Sequence, residues 1–322
     1  MPSERSAARV AVLMSTYNGE RHVKEQIESI LPQLSEQDRL FVRDDGSTDD
    51  TITISQSISD SRIKLTLGVN IGFARSFFWL LYHATEGFDI CMLSDQDDIW
   101  LPGKIDRAWK FVSSTPEPVL YCSRLRIVDE NLLIAGLSPE FAQPPTLTNA
   151  VCENIATGCT IALNCAAVAA IKVIPYSNLA EHYIYYHDWW LYLNISHFGK
   201  VVWDSEPRIL YRQHSGNLVG MSGGWRRYWH LWKAVRRRSW VRVLILQLRA
   251  FLYLHESRLD KATMAWISSL CMGSPIRVAF VLMTDKKLRR QWRAERWLFK
   301  LLVGFDFILG KLKNLPTTSS RN

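Results

Sequence analysis

The chain has six cysteines (Cys91, Cys122, Cys152, Cys159, Cys165 and Cys271), but no CxxC pair and no spacing that suggests a disulfide framework. Most of them lie in apolar stretches, where a reduced thiol behaves as a small hydrophobe, so a reducing, cytoplasmic compartment is expected. No window of about 18 uninterrupted apolar residues occurs, and a membrane-spanning helix is therefore not expected. The polar stretch Met1–Arg9 runs straight into a strand-like segment, and no signal peptide is expected. Internal repeats and low-complexity tracts are absent. Acidic residues are scarce in the last third: residues 225–322 carry 21 Lys/Arg against 5 Asp/Glu, whereas residues 1–224 carry 18 against 26. The net charge of +8 thus belongs to the C-terminal part alone, and two functions should be sought in two places.

A chain of 322 residues, 48% hydrophobic and 22% charged, can bury an enzyme-sized core and is globular in composition. In the first hundred residues short apolar runs alternate with helical periodicity, the pattern of a βαβ sheet. Val10–Met14, Leu40–Val42, Ile63–Leu67 and Ile90–Leu93 read as strands. Val23, Ile27, Ile30 and Leu31 share a helical face that ends at Pro32, and Phe77, Leu80, Leu81 and Ala84 share another. Ser47, with Asp50 three residues on, looks like a capping box for the second helix. Further on, Val119–Ser123, Thr160–Leu163 and Val201–Trp203 suggest strands and Ala166–Ile171 a helix. Polar residues fall repeatedly where strands end: Ser15-Thr16-Tyr17-Asn18-Gly19, then Arg43-Asp44-Asp45-Gly46-Ser47, then Gly68-Val69-Asn70-Ile71-Gly72-Phe73, then Ser94-Asp95-Gln96-Asp97-Asp98. Open α/β sheets bind ligands at the carboxyl ends of their strands, so these loops should surround one pocket.

The last of these loops sets three carboxylates in four positions. Like charges so close repel and raise each other's pKa, and a hard divalent cation, Mg²⁺ or Mn²⁺, would relieve the crowding. A solvated turn whose aspartates cap a helix starting near Leu101-Pro102-Gly103 is the plainer alternative, and a DxD alone does not decide between them.

In order and spacing, Ser15-Thr16-Tyr17-Asn18-Gly19-Glu20, Arg43-Asp44-Asp45-Gly46-Ser47-Thr48-Asp49, Asn70-Ile71-Gly72-Phe73 and Asp95-Gln96-Asp97-Asp98-Ile99-Trp100 resemble the family 2 glycosyltransferases. The resemblance continues through Ala156-Thr157-Gly158-Cys159-Thr160, His187-Asp188-Trp189-Trp190 and Tyr211-Arg212-Gln213-His214, and so covers about residues 8–220. Within the family the chain is most similar to bacterial rhamnosyltransferase-type members that build surface polysaccharides. The resemblance implies an α/β GT-A fold, a mostly parallel, Rossmann-like central sheet flanked by helices. It also implies an inverting, metal-dependent transfer from a nucleotide-diphosphate sugar donor to a glycan or lipid-linked acceptor. Thr16, Tyr17 and Asn18 would then line the nucleobase and ribose pocket, and Asp45 would accept a hydrogen bond from the base. For Asp44, capping the turn is an equal alternative. Asn70 and Gly72 would shape the loop beside the nucleotide, Asp95 would bind ribose or donor sugar, and Asp97 would coordinate the metal. Asp98 fits the ligand role by distance as well; the family pattern favours Asp97.

An inverting transfer needs a base for the acceptor hydroxyl. The resemblance gives that role to Asp188, the second member of a pair usually written Glu-Asp and here His187-Asp188, which leaves His187 without an assigned role. The competing reading of Asp188 is an N-cap of the helix over Trp189–Asn194. His214 could complete the metal site or be structural, and Arg212 could meet phosphate or pair with a carboxylate. Trp189 and Trp190 could form an acceptor platform or belong to the core. A non-catalytic sugar-nucleotide-binding or scaffold protein is an alternative function. A nucleotidyltransferase would be expected to carry a Gly-rich, basic phosphate loop after the first strand, which this chain lacks.

Gly216, Gly220, Gly223 and Gly224 mark a junction, giving an expected catalytic domain over residues 1–220 and a basic amphipathic helical extension over 225–322. In that extension Tyr228, Leu231, Trp232 and Val235 have helical spacing. So do Val241, Leu244, Ile245, Leu248 and Leu252, and then Trp297, Leu298, Leu301, Leu302, Phe305, Leu309 and Leu312. No nucleic-acid-binding module is recognisable. Apolar and basic residues interleaved in this way suit an interfacial helix, and each basic residue near an anionic surface adds about 1 kcal/mol. The expectation is peripheral attachment to the inner face of the cell membrane.

Overall fold

The computed structural model describes residues 8–141, 143–182, 184–213 and 240–312. These form two compact units. One comprises the described residues of Met1–Glu140, Ala156–Val173 and His187–Met221, the other those of Phe141–Ile155, Ile174–Tyr186 and Ser222–Asn322. The strands, in chain order, are β1 (Val10–Thr16), β2 (Arg39–Asp44), β3 (Ile63–Leu67), β4 (Ile90–Ser94), β5 (Ile99–Trp100), β6 (Val119–Ser123), β7 (Arg126–Val128), β8 (Ile134–Leu137), β9 (Ala162–Asn164), β10 (Lys200–Asp204) and β11 (Ile209–Arg212). The helices are α1 (Val23–Ile30), α2 (Thr51–Ser57), α3 (Phe73–His83), α4 (Lys104–Val112), α5 (Leu147–Ala150), α6 (Cys165–Lys172), α7 (Tyr176–Glu181), α8 (His187–Phe198), α9 (Trp240–Leu254), α10 (Lys261–Cys271), α11 (Pro275–Thr284) and α12 (Arg293–Ile308).

Every described strand lies in the first unit. A seven-stranded sheet runs β10-β6-β9-β4-β1-β2-β3, parallel except at β9, which is antiparallel to both β4 and β6. The central strands β1 and β4 are buried almost throughout, as their unbroken apolar runs require of strands covered on both faces. On one side Val10, Val12 and Met14 meet Val23, Ile27 and Ile30 of α1. Buried Asp38 fixes where the sheet begins, accepting Val10 N–H and Ser35 N–H, each at 2.7 Å. Asn164 joins β9, β6 and α6, its Oδ1 accepting both Val119 N–H and Ala167 N–H at 2.9 Å.

The parallel register sets the functional end. Thr16 of β1 stands beside Asp44 of β2, and Met14 beside Ser94 of β4, so the loops after β1, β2 and β4 leave the sheet side by side. A smaller sheet, β5-β11-β7-β8, was not expected from the sequence, because its strands are only two to four residues long. Two local expectations are corrected. Ser47 is not an N-cap: its N–H and hydroxyl bond back to Asp44, and α2 starts only at Thr51, whose N–H goes to Asp49. Thr160 lies in a 3₁₀ turn over Gly158–Thr160, ahead of β9.

The second unit is helical. Consecutive helices from α9 to α12 pack on one another, and α12 also packs on α9. Asp260 caps α10 through Thr263 N–H, and Ser274 with Pro275 at the first position opens α11. Val241, Leu244, Ile245 and Leu248 of α9 face inward, but so do Val243, Leu246, Ala250 and Phe251. This helix is therefore the core of its unit and not an interfacial helix. Residues 214–239, which include His214 and the Tyr228–Val235 periodicity, lie outside the described residues.

Between the helices and residues 141–155 lies a buried polar knot. Glu153 accepts from Asn149 Nδ2 and Gln291 N–H at 2.7 Å, while Arg290 stands 3.5 Å from both Glu153 and Glu295. Burial pushes the Glu153 carboxyl up to about 7, against the pull of Arg290. A folded-state pKa above the unfolded one contributes stability at low pH that is lost as pH rises through it. The helical unit should therefore lose on the order of 2 kcal/mol between pH 5 and pH 8.5, and Glu153→Gln should flatten that dependence. Thermal melts followed by far-UV circular dichroism across this range check it; parallel pH profiles for the two proteins would contradict it.

Candidate active site

Each polar loop is held by its neighbours. Asp44, buried at the end of β2, accepts Thr16 Oγ1 at 3.1 Å and the N–H groups of Gly46 and Ser47 at 3.0 and 2.8 Å. It thus organises its own turn, the capping alternative that the sequence left open. Asn18 sits in the left-handed region at φ +47°, where its Oδ1 accepts Thr48 N–H at 2.9 Å while its own N–H reaches Ser47 Oγ. Gln96 clamps the other side: its Oε1 accepts Tyr17 N–H at 2.9 Å and its Nε2 donates to Tyr17 O at 3.1 Å. A Cβ on Gly19 would run into the Gln96 carboxamide, so this glycine is needed for the approach. The Tyr17 side chain is left exposed.

Asp45, expected at the nucleobase, is buried and engaged within the protein. It pairs with Arg43 and accepts the N–H groups of Ile71 and Gly72, each at 2.9 Å. Arg43 also donates to Ser76 Oγ and Val69 O, so the Arg43–Asp45 pair pins the loop after β3. Asn70 stays exposed, and Gly72 adopts φ +86° as α3 begins.

The aspartates after β4 divide by environment. Asp98 is buried; it accepts Arg212 N–H at 3.2 Å, has the Cys159 thiol as an immediate neighbour, and its Oδ2 has no hydrogen-bond partner among the described residues. Burial, then the charges of Asp97 and Asp95, push its carboxyl well above the ordinary range. Asp95 is only partly buried in the fold, and burial with the charges of Asp97 and Asp188 raises it to about 7. Asp188, ninety-three positions further along the chain, is thus brought into electrostatic reach of the acidic loop. Two cations answer this charge. Arg212 is buried, donates to Asp97 O at 3.1 Å and Glu130 O at 2.8 Å, and pairs with Glu25 at 2.6 Å. Its partner is a carboxylate, one of the two roles expected. Lys104, which the sequence reading missed, is buried with its ammonium 3.8 Å from the Trp100 ring centre, and burial lowers it to about 7 against the pull of Cys159, Asp98 and Asp95.

Ligand atoms of Asp95, Asp98 and Cys159 lie within 4.8 Å of one another, a set that could hold a divalent cation. The fit rests on an excess of carboxylate at one spot and on the unpartnered buried Oδ2 of Asp98. Expected ligand Asp97 adjoins this set without belonging to it, and expected ligand His214 is outside the described residues.

Asp188 stands in the first turn of α8, where its Oδ1 accepts Trp189 N–H at 2.7 Å. Trp189 and Trp190 are buried, which corrects the acceptor-platform expectation: neither offers an open ring face. His187 is buried too, stacked on Phe77 at 4.1 Å and edge-on to Phe73 at 5.9 Å. A Cβ on Gly158 would come within 2.9 Å of its Nε2. Burial lowers its pKa to about 3, so the ring is a neutral wedge beside Asp188.

The clamp on Tyr17 yields a test. Gly19→Ala and Gln96→Ala should each free this loop and raise the apparent KM for a nucleotide-sugar donor by roughly tenfold, with kcat changed less. Initial rates against donor concentration measure this, and unchanged KM values in both variants would count against it.

Comparison with known proteins follows the same lines. The profile of glycosyl transferase family 2 matches residues 11–166. The chain is 32% identical over 225 residues to dTDP-rhamnosyl transferase RfbG of Shigella flexneri, covering 64% of this chain and 73% of that protein. It is 29% identical over 179 residues to the Escherichia coli UDP-Glc:alpha-D-GlcNAc-diphosphoundecaprenol beta-1,3-glucosyltransferase WfgD, covering 55% and 68%. Among solved structures, S. aureus TarS 1-349 in complex with UDP-GlcNAc superposes with a TM-score of 0.55 at 14% identity, over 94% of this chain and 92% of that one. The mannosyltransferase PcManGT from Pyrobaculum calidifontis, in complex with GDP-Man and Mn2+, gives 0.51 at 17% identity, over 97% and 90%. At such identities these structures show a common fold, the GT-A fold: a mixed Rossmann-like sheet flanked by helices, followed by C-terminal helices.

Proposed function

This chain belongs to glycosyl transferase family 2, and from that premise we propose that it is an inverting, metal-dependent hexosyltransferase of cell-surface polysaccharide assembly. Glycosyltransferase activity on nucleotide-diphosphate sugars follows from family and fold; the stereochemistry, the sugar and the acceptor are our reading. The observation that carries it is the convergence of Asp188 with Asp95 and Asp97 at the end of the sheet where the β1, β2 and β4 loops emerge.

In the proposed reaction the acceptor hydroxyl attacks the anomeric carbon. The new C–O bond forms as the bond to the diphosphate oxygen breaks, the electron pair leaves with the nucleotide diphosphate, and the hydroxyl proton passes to the Asp188 carboxylate. Trp189 N–H holds one oxygen of that carboxylate and so orients the other. Tyr17 offers its exposed ring to the nucleobase, with Thr16, Asn18, Asn70 and Gly72 around the nucleotide and Asp95 at the ribose or sugar. Asp45 would act here through the loop it pins. Asp97, adjoining the set of Asp95, Asp98 and Cys159, would share with its carboxylates the hold on Mg²⁺ or Mn²⁺, which when bound would supply positive charge for the leaving diphosphate. The names of RfbG and WfgD support dTDP-rhamnose as the first donor to try and a diphosphoundecaprenol-linked sugar as the acceptor class. Such an acceptor would place the enzyme on the cytoplasmic face of the cell membrane.

A donor panel reading nucleotide diphosphate release tests the proposal. Asp188→Asn should lower kcat by roughly a thousandfold while donor affinity stays within about threefold. Turnover that survives this substitution would remove Asp188 from the mechanism, and a wild-type protein that binds donors without turning any over would favour the sugar-nucleotide-binding alternative.

A further inference from the structure

Helix α12 is built inside out. Its buried stripe is Glu295, Phe299, Val303 and Asp306, so both of its carboxylates face inward. Arg290 holds Glu295 and Lys311 holds Asp306, each at 3.5 Å. The opposite stripe, spaced i, i+4, i+8 and i+11, is Trp297, Leu301, Phe305 and Ile308; of these Trp297, Leu301 and Ile308 are 69, 70 and 80% exposed. An ordinary surface helix does the reverse, burying its apolar stripe and showing its charges to water. Neighbouring α11 extends the apolar surface. Ile276 and Phe280 are exposed there, two turns and one turn ahead of Met283 on the same stripe, and Met283 packs toward Gly304 of α12, where a Cβ would lie 3.9 Å from its sulfur. With the acids of α12 withdrawn, its surface and the approach to it carry six cations, Lys286, Lys287, Arg289, Arg293, Arg296 and Lys300, against one partly exposed acid, Asp285. The Lys300 ammonium lies 5.4 Å from the Trp297 ring centre, a cation resting against the apolar stripe.

We propose that the outer face of α11 and α12 docks on an anionic lipid surface, with Trp297, Leu301, Phe305 and Ile308 entering the headgroup boundary and the flanking lysines and arginines meeting lipid phosphates. Charge selects this occupant. A second copy of the chain would bring the same cations face to face, whereas an anionic bilayer answers both the apolar stripe and its basic margin. The helices lie on the membrane and do not cross it. Among the described residues no single helix is long and apolar enough to span, and α10 and α11 reach such a length only together, bent by 114°. This deepens the membrane location proposed above by naming the surface, and it does not depend on the identity of the sugar or on Asp188.

The test is co-flotation of the full-length protein with vesicles of phosphatidylcholine alone or mixed with phosphatidylglycerol. The wild type is compared with a Trp297→Ser/Leu301→Ser/Ile308→Ser variant and with Asp188→Asn. All three substituted side chains in the triple variant are exposed, so its melting curve and nucleotide diphosphate release should match the wild type. Wild type and Asp188→Asn should float with anionic vesicles, more weakly as salt rises, and hardly at all with phosphatidylcholine. The triple variant should bind anionic vesicles at least tenfold less. Equal binding by the triple variant would overturn the proposal, as would a wild type that ignores anionic vesicles while remaining active. A wild-type dimer that becomes monomeric in the triple variant, measured by light scattering, would overturn it in favour of a second copy.

Discussion

Buried Asp98, in the same short loop as Asp95 and Asp97, is the constraint around which the strand-bearing unit is arranged. A carboxylate out of water needs donors and positive charge close by, or it takes up a proton. Here the backbone N–H of Arg212 meets Asp98 while the guanidinium of the same residue holds the Asp97 and Glu130 carbonyls and reaches Glu25. One buried arginine thus fastens β11, the acidic loop and α1 together. Lys104, resting on Trp100, is a second buried basic group in electrostatic reach of Asp98 and Asp95. The arrangement leaves Asp95 and Asp97 only partly buried, at the end of the sheet where the loops after β1, β2 and β4 emerge side by side.

The other loops are fitted to this one. Gln96, lying between two of the aspartates, grips the Tyr17 backbone at both its N–H and its carbonyl, and so ties the acidic loop to the loop after β1. Asp44 and Asn18 do the same between the loops after β1 and β2, and the Arg43–Asp45 pair continues the chain of contacts to Gly72 and the start of α3. Preorganisation of this kind lets a nucleotide bind without first ordering its own pocket.

Much of this was legible in the sequence because it rests on local periodicity. The strands β1 to β4 announce themselves as apolar runs closed by polar clusters, and parallel pairing then leaves few ways to arrange them. What escaped was non-local. Gln96 and Arg43 are ordinary polar residues until the register places them beside Tyr17 and Val69. Lys104 carries no sequence mark of its place, because nothing local reveals that the first turn of α4 is buried. Trp189 and Trp190 carry no mark separating a sugar platform from a core, and burial alone decides for the core. In the helical unit the same difficulty appeared in reverse. Helices α9 and α12 have similar apolar spacing, yet α9 buries apolar residues around most of its circumference while α12 turns its stripe outward, a distinction set by the carboxylates Glu295 and Asp306, which anchor the opposite face.

The central claim is that the loops at successive strand ends form one cation-dependent site for a nucleoside diphosphate. Calorimetric titration of dTDP and UDP into the protein, with Mn²⁺ and with EDTA, measures it most directly. The account predicts saturable one-to-one binding of at least one of them in Mn²⁺, weakened on the order of tenfold or more by chelation and by Asp97→Asn. Binding of the same strength with and without the cation, and in Asp97→Asn, would contradict it.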